Sequence, residues 1–473
     1  MTRTRFAPSP TGYLHVGGIR TALFAFLVAR QADGQFVLRF EDTDKKREVA
    51  GSAEHLIASL KAIGIEYDEG PDIGGDYGPY IQSQRLDHYK QWAQKLIDAG
   101  RAYADPYTPE QVQAFRDEAT AAKRAFRYRD YRPENPPVWD GSTPLRFKSD
   151  PKSYTYHDKV MGDTTTSPEV VDDFILIKSD GYPTYNFAHI VDDAEMKITH
   201  VMRAQEFIPS MPNYLALYEA LGLERPIFAH LPHILNEQGN KKLGKRDGAK
   251  DVLDYLRDGY LPETMMSFIA TMGWNDGTEQ EIFTKQELIE KFSLDRVQKS
   301  GARFDEKRLL WMNGQFIREL ALDDLWNRVA DFWPAEADGV EADYKRQVLS
   351  LAQDRLKTLT DLPILTRYFF AEPTPDWAMI DGNKQLAKLG RDRQSELLNT
   401  VHAKLESTDF NAGDIQIALN ELLEATGEKP GTLFSLIRFA ITWAPFSPAL
   451  PETMEVLGHN KTLARLQAAI ESA

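Results

Sequence analysis

The 473-residue chain contains no cysteine. That excludes disulfides, thiolate catalysis and any cysteine-ligated zinc. It has no apolar run near the ~18–20 residues that a membrane-spanning helix needs. Its first residues, MTRTRFAPSP, hold no apolar stretch of the signal-peptide kind. Together these absences predict a cytoplasmic protein with no membrane partner. Positive charge is also in the minority: 56 Lys and Arg stand against 71 Asp and Glu, a net charge of −15. Such an acidic body argues against a nucleic-acid partner unless basic groups are gathered locally. Internal repeats and low-complexity tracts are absent as well.

What remains is a globular composition, with 42% hydrophobic and 27% charged residues. The length suggests about three or four domains. Residues 3–7 read as a strand, a Pro/Gly-rich loop follows to Gly18, and Ile19, Leu23, Phe26 and Leu27 carry a helical period. Residues 35–40 read as a second strand, which completes a βαβ unit and starts a parallel sheet. Helical patterns recur at 51–63 and 83–99, and 100–150 is mixed and rich in Tyr, Arg and Pro. Strand patterns at 170–177 and 198–202 and a helical one at 210–222 return the chain to α/β order. From about 250 onward helical periods dominate.

Three groups of residues carry possible chemistry. The first strand runs into a loop with Gly12, Gly17 and Gly18, where a helix begins. Glycines admit a ligand close to the backbone, and a helix N-terminus offers N–H groups and partial positive charge to phosphates. The loop is neither a P-loop nor a dinucleotide fingerprint, because neither spacing is met. His15 could donate to a phosphate oxygen in an in-line displacement; taken alone it is an ordinary loop residue. The second group, 239–248, reads GNKKLGKRDG, with Lys242 and Lys245 able to reach one polyanion from one side. Alone, such a run is a solvated loop. The third comprises Arg5, Arg203 and Glu41, all at or just beyond C-terminal ends of predicted strands, where open α/β sheets bind ligands. Arginine forks suit a carboxylate, and Glu41 suits an ammonium.

The stretch RFAPSPTGYLHVGG (5–18) resembles the HIGH-type signature of class I aminoacyl-tRNA synthetases, in the version of the bacterial glutamyl enzymes. KLGKR (242–246) resembles the second signature, the KMSKS loop, with Gly244 where the family has a serine. EDTD (41–44), SDGYPTYN (179–186), VDD (191–193), VMRAQE (201–206) and WMNG (311–314) are similar to further family segments. Phe207 stands where Trp or His is usual, and His189 where Asn is frequent.

The resemblance implies an α/β Rossmann-like catalytic domain, split over 1–80 and 178–235. It implies an inserted α+β acceptor-binding domain at 81–177, a stem-contact region with the lysine loop at 236–320, and an all-α anticodon-binding region at 321–473. Its catalytic residues would be His15, Lys242 and Lys245. Glutamate would be held by Arg5, Ala7, Ser9, Glu41, Tyr185, His189 and Arg203. ATP would meet His15, Gly17, Gly18, Glu206, Ile234, Lys242, Lys245 and Arg246. Asp44, Arg47 and Arg355 would touch tRNA. The basic run Lys123, Arg124, Arg127, Arg129 and Arg132, interleaved with Phe126, Tyr128 and Tyr131, could track the acceptor end or be merely solvated. Implied substrates are L-glutamate, ATP with Mg²⁺, and tRNA-Glu; a monomer is expected. Many family members hold zinc through cysteines in the insertion. This chain has no cysteine, so no metal site is expected in the protein.

Overall fold

The computed structural model describes residues 1–244, 250–444 and 446–472. The chain divides into two compact units, Met1–Tyr255 with Met265–Glu306, and Leu256–Thr264 with Lys307–Ala473.

In the first unit, β1 (Arg3–Phe6) leads through α1 (Val16–Gln31) to β2 (Gln35–Leu38), and β1 and β2 pair in parallel with Arg3 opposite Gln35. All four β1 residues are buried, and α1 buries Ile19, Leu23, Phe26 and Leu27 at helical spacing. α2 (Ser52–Ala62) and α3 (Leu86–Asp98) follow, then β3 (Ala102–Ala104), α4 (Pro109–Ala121) and β4 (Leu145–Phe147). Next come the hairpin β5 (Tyr154–Asp158) and β6 (Gly162–Thr166), β7 (Ile175–Ile177), α5 (Tyr185–Glu195), β8 (His200–Ala204), α6 (Met211–Ala220) and β9 (Ile227–Leu231). The main sheet has the order β2-β1-β8-β9-β5-β6, parallel except for the β5–β6 pair. β1 is flanked by β2 on one side and β8 on the other. The chain therefore leaves β1 and β8 in opposite directions and opens a crevice at their C-terminal ends.

β3, β4 and β7 form a separate antiparallel sheet. Two features of 81–177 differ from the periodicity reading. The strand expected over 170–177 is confined to Ile175–Ile177 and lies in this small sheet. The reason is local: Asp172 accepts from the Tyr128 and Arg129 amides, and Asp173 from the Ser149 amide, so this stretch acts as a clasp. In addition, β5 and β6 join the main sheet, with Asp158 beside Phe228 of β9. Arg124, Arg127, Arg129 and Arg132 are all tied down within this region, to Glu118, Glu169, the Val171 carbonyl and Asp173 respectively.

In the first unit β10 (Ile234–Leu235) and β11 (Ala302–Arg303) pair in a two-stranded parallel ladder; between them in the chain come α7 (Val252–Arg257) and α8 (Pro262–Ala270), each with residues of both units, and α9 (Lys285–Lys291). The second unit is helical: α10 (Glu306–Glu319), α11 (Leu322–Arg328), α12 (Ala342–Gln353), α13 (Leu362–Phe370), α14 (Trp377–Asp381), α15 (Arg391–Glu406), α16 (Ala412–Thr426), α17 (Pro430–Thr442), α18 (Leu450–Leu457) and α19 (His459–Glu471). One of its cores is lined by Leu397, Leu419, Leu436 and Leu466, another by Ile317, Leu349 and Leu362. Among the described residues no helix is long and apolar enough to cross a membrane.

Candidate active site

A cleft of about 870 Å³ opens at the C-terminal ends of β1 and β8. Arg5, Ala7, Ser9, His15, Gly17, Gly18, Glu41, Asp44, Arg47, Tyr185, Arg203, Glu206, Ile234 and Lys242 all line it. The fold thus gathers most of the expected residues into one place. His189 is buried behind the cleft rather than lining it. Lys245 and Arg246 lie outside the described residues.

At one end the charges are buried and paired. Arg5 on β1 reaches Asp193 at 3.2 Å and donates to the Met202 carbonyl at 3.1 Å. Arg39, just past β2, bonds Glu41 at 2.9 Å and Asp193 at 2.8 Å. Arg85 takes Asp192 at 2.7 Å. α5 delivers Tyr185, His189, Asp192 and Asp193 at spacings that place them along one helical face. Burial pushes the Glu41 carboxyl up to about 7, more than the Arg39 ion pair pulls it down. Asp193 is the reverse case: despite burial, Arg5 and Arg39 hold it down at about 2.

Arg203 is different. It is 4% exposed, yet among the described residues no carboxylate lies within ion-pair distance of it. Its guanidinium sits 4.8 Å from the Tyr214 ring and 5.2 Å from the Phe207 ring. Its hydrogen-bond partners are two imidazoles, His230 Nε2 at 3.1 Å from Nε and His189 Nε2 at 3.4 Å from Nη1, and the Met211 thioether at 2.8 Å from Nη2. Burial, then the Arg203 charge, lowers His189 to about 3, so that ring is neutral. A buried cation lacking a counter-charge suits an anionic ligand.

The other end suits a polyphosphate. His15 caps α1, and its Nδ1 accepts from the Gly17 amide at 3.1 Å. In a neutral ring the proton is then on Nε2. A Cβ on Gly18 would come 2.5 Å from Leu14 Cδ1, so this glycine lets the loop fold against the helix start. Lys242 bonds Glu206 at 2.7 Å across the cleft mouth, and both are half exposed.

Residues 1–311 match the family described as tRNA synthetases class I (E and Q), catalytic domain, and residues 324–470 match an anticodon binding domain. The chain is 40% identical over 477 residues to a glutamate–tRNA ligase of Dehalococcoides mccartyi, covering 99% of this chain and 97% of the relative. It is also 40% identical over 492 residues to a glutamate–tRNA ligase of Chloroflexus aurantiacus, at 99% and 97% coverage. The chain belongs to the class I glutamyl-tRNA synthetase family. The crystal structure of a glutamate tRNA ligase from Elizabethkingia meningosepticum, in complex with its amino acid, is similar in fold. Its TM-score is 0.87 at 33% identity, covering 100% of this chain and 99% of that one.

Within the synthetase, Asp44 and Arg47 form an exposed 3.9 Å pair at the cleft rim. Arg355 stands apart in the second unit, beside a hollow of about 560 Å³ that Lys357, Arg438 and Phe446 also line. Burial, then the Arg355 charge, holds Arg438 below its usual range.

Sequence reading missed Arg39, His230, Asp158 and Arg20 as site residues. Arg39 had a signal, since it stands two residues before Glu41 on an extended segment and so shares its face. A histidine inside the apolar run IFAHL was a second one. Asp158 had none. Arg20 lines the cleft while donating to the Met272 carbonyl at 3.2 Å and to the Pro232 carbonyl. Burial lowers it to about 10.

Proposed function

We propose that the synthetase joins L-glutamate to tRNA-Glu in two steps. Glutamate's α-carboxylate attacks the α-phosphorus of ATP to give glutamyl-adenylate and pyrophosphate. A terminal ribose hydroxyl of the tRNA then attacks the acyl carbon and releases AMP. The observation that carries this reading is Arg203, buried in the cleft wall with imidazoles rather than carboxylates about it.

In this reading Arg203 and Arg5 bind the side-chain carboxylate. Glu41 receives the α-ammonium, Tyr185 walls the pocket, and the backbone at Ala7 and Ser9 passes along it. His189 acts from behind, through Arg203. His15 and the amides near Gly17 and Gly18 meet the phosphates as charge develops. Glu206 and Ile234 face the nucleoside, while Lys242 and, from sequence alone, Lys245 and Arg246 meet the leaving pyrophosphate. No protein nucleophile is required; catalysis is positioning and electrostatics. Mg²⁺ would arrive held mainly by ATP's own phosphates. The three-stranded region of 81–177 would meet the acceptor end, Asp44 and Arg47 the tRNA near the cleft, and Arg355 the anticodon.

ATP–pyrophosphate exchange tests this reading, with glutamate or glutamine and with or without tRNA-Glu. Exchange is expected with glutamate when tRNA-Glu is present; its absence there would remove the assignment. Arg203→Lys keeps the charge but loses the fork, so the glutamate KM should rise by about 10-fold or more. An unchanged KM would exclude Arg203 from the pocket.

A further inference from the structure

Asp158, His230 and Arg203 come from three adjacent strands, β5, β9 and β8, and Arg203 lies directly opposite His230 in the parallel register. All three are buried. A guanidinium Nε always carries a proton and can only donate. His230 Nε2, 3.1 Å away, must then be an unprotonated acceptor. The ring's single proton is left on Nδ1, which lies 2.6 Å from Asp158 Oδ2. The carboxylate is itself held, with Oδ1 accepting from the Val160 amide at 3.0 Å and the Met161 amide at 2.9 Å. Burial favours a neutral His230, which the contact to Arg203 also requires. His189 repeats the arrangement from the other side. Its Nδ1 is 2.7 Å from the Tyr185 carbonyl, so the proton is there and Nε2 faces Arg203 Nη1.

We propose that Asp158 and His230 are positioning residues. Asp158 selects the Nδ1–H tautomer of His230, which fixes the plane of Arg203 without cancelling its charge. The assignment rests on reading Arg203 as the ligand of the glutamate side-chain carboxylate. The logic lies in the choice of partner. Asp193 orients Arg5 but sets a negative charge beside it, which Arg39 shares. An imidazole lone pair orients an arginine equally well and adds no negative charge. Arg203 thus stays both aligned and electrostatically unspent, which suits it as a fork for an incoming carboxylate.

Asn at position 158 separates tautomer from shape. Its carbonyl oxygen would keep the Val160 and Met161 amides, and its NH₂ would then face His230 Nδ1. The imidazole would be driven to the Nε2–H form, with a donor aimed at Arg203 Nε. The test uses the full chain, with aminoacylation of tRNA-Glu and ¹⁵N chemical shifts of the histidine rings. In the unaltered chain the His230 signals, assigned by their loss in His230→Gln, should report Nδ1–H and a bare Nε2. Asp158→Asn should reverse them. Asp158→Asn and His230→Leu should each raise the glutamate KM by about 10-fold or more, the scale of one lost bond to a charged group. The ATP and tRNA KM should stay within about twofold. His230→Gln, whose amide oxygen can accept from Arg203, should recover most of the loss. An Nε2–H tautomer in the unaltered chain would overturn the proposal. So would equal defects in His230→Leu and His230→Gln, or a His230→Leu enzyme with an unchanged glutamate KM. Neither reading depends on whether Asp158→Asn folds. Should Arg203→Ala leave the glutamate KM unchanged, the pocket assignment fails; should it raise KM while His230→Leu does not, the relay fails alone.

Discussion

At the residue scale, Glu41 shows burial prevailing over pairing. It bonds Arg39 at 2.9 Å, yet burial carries its carboxyl up to about 7. An unfolded glutamate titrates near ~4.3. The folded value is the higher one, so this group's contribution to stability is fully present below the unfolded value. It is lost as pH rises through about 7. Glu41→Gln should therefore flatten the fall in stability between about pH 4.5 and 7, read from urea midpoints across that range. If the slope is the same in both proteins, Glu41 is not the group responsible. Ligand binding offers a second readout. An ammonium seated against Glu41 would pull its pKa down, so glutamate binding near pH 7 should release on the order of half a proton. Calorimetry in buffers of different ionisation enthalpy measures this, and heats independent of buffer would remove Glu41 as the ammonium partner. Arg5, Glu41 and Arg203 were legible because each sits where a strand pattern ends. Arg39, Asp193 and His230 lie behind them, and their importance depends on which side chains they touch.

At the scale of elements, short polar clasps decide how regular segments meet. Asn313 in α10 is fully buried. It accepts from the Leu261 amide at 2.8 Å and donates to the Lys357 carbonyl at 2.6 Å and the Gly259 carbonyl at 3.3 Å. Two stretches of backbone, 259–261 and Lys357, converge on one amide. Asn313→Ala would strand buried backbone groups and should cost about 2–4 kcal/mol in chemical denaturation of the intact chain. Faster amide exchange at Leu261 should accompany it, and a loss below about 1 kcal/mol would show that water or rearrangement replaces the clasp. The segment WMNG around this residue was visible as a motif, but its work was not, since its partners lie 44 to 54 positions away. The β5–β6 hairpin was hidden for the same reason. Its residues alternate buried and exposed, so a strand was readable, but nothing local says which sheet it joins.

At the scale of the whole molecule, an acidic chain must find local means to hold an anion. The net charge is −15, yet Lys242 and Arg47 edge the cleft, and Arg355 and Arg438 line a hollow in the helical unit. If Arg355 meets a tRNA phosphate, then Arg355→Ala should weaken tRNA-Glu binding and reduce the salt slope of log Kd by about one, whereas a reader of the third anticodon base would lose discrimination at that base with the slope kept. Fluorescence titration between low and moderate salt measures it, and an unaltered slope would mean that Arg355 touches no phosphate. The basic run at 123–132 is expected to contribute less, since its arginines are already engaged by carboxylates and carbonyls.

Sequence alone determined the family, the Gly-rich loop with His15 at the start of the first helix, and the change from α/β to α character. Each is written in a contiguous stretch, where side-chain period, turn chemistry and the free amides of a helix start act over a few residues. Tertiary structure decided which strand lies beside which, and with that the character of every charge in the cleft. Arg5 is ion-paired and Arg203 is not because one faces Asp193 and the other faces His230, and both partners come from distant positions. Burial then set Glu41 near neutrality and kept His189 uncharged. Desolvation and pairing depend on neighbours in space, and strand order, which no local pattern states, chooses those neighbours.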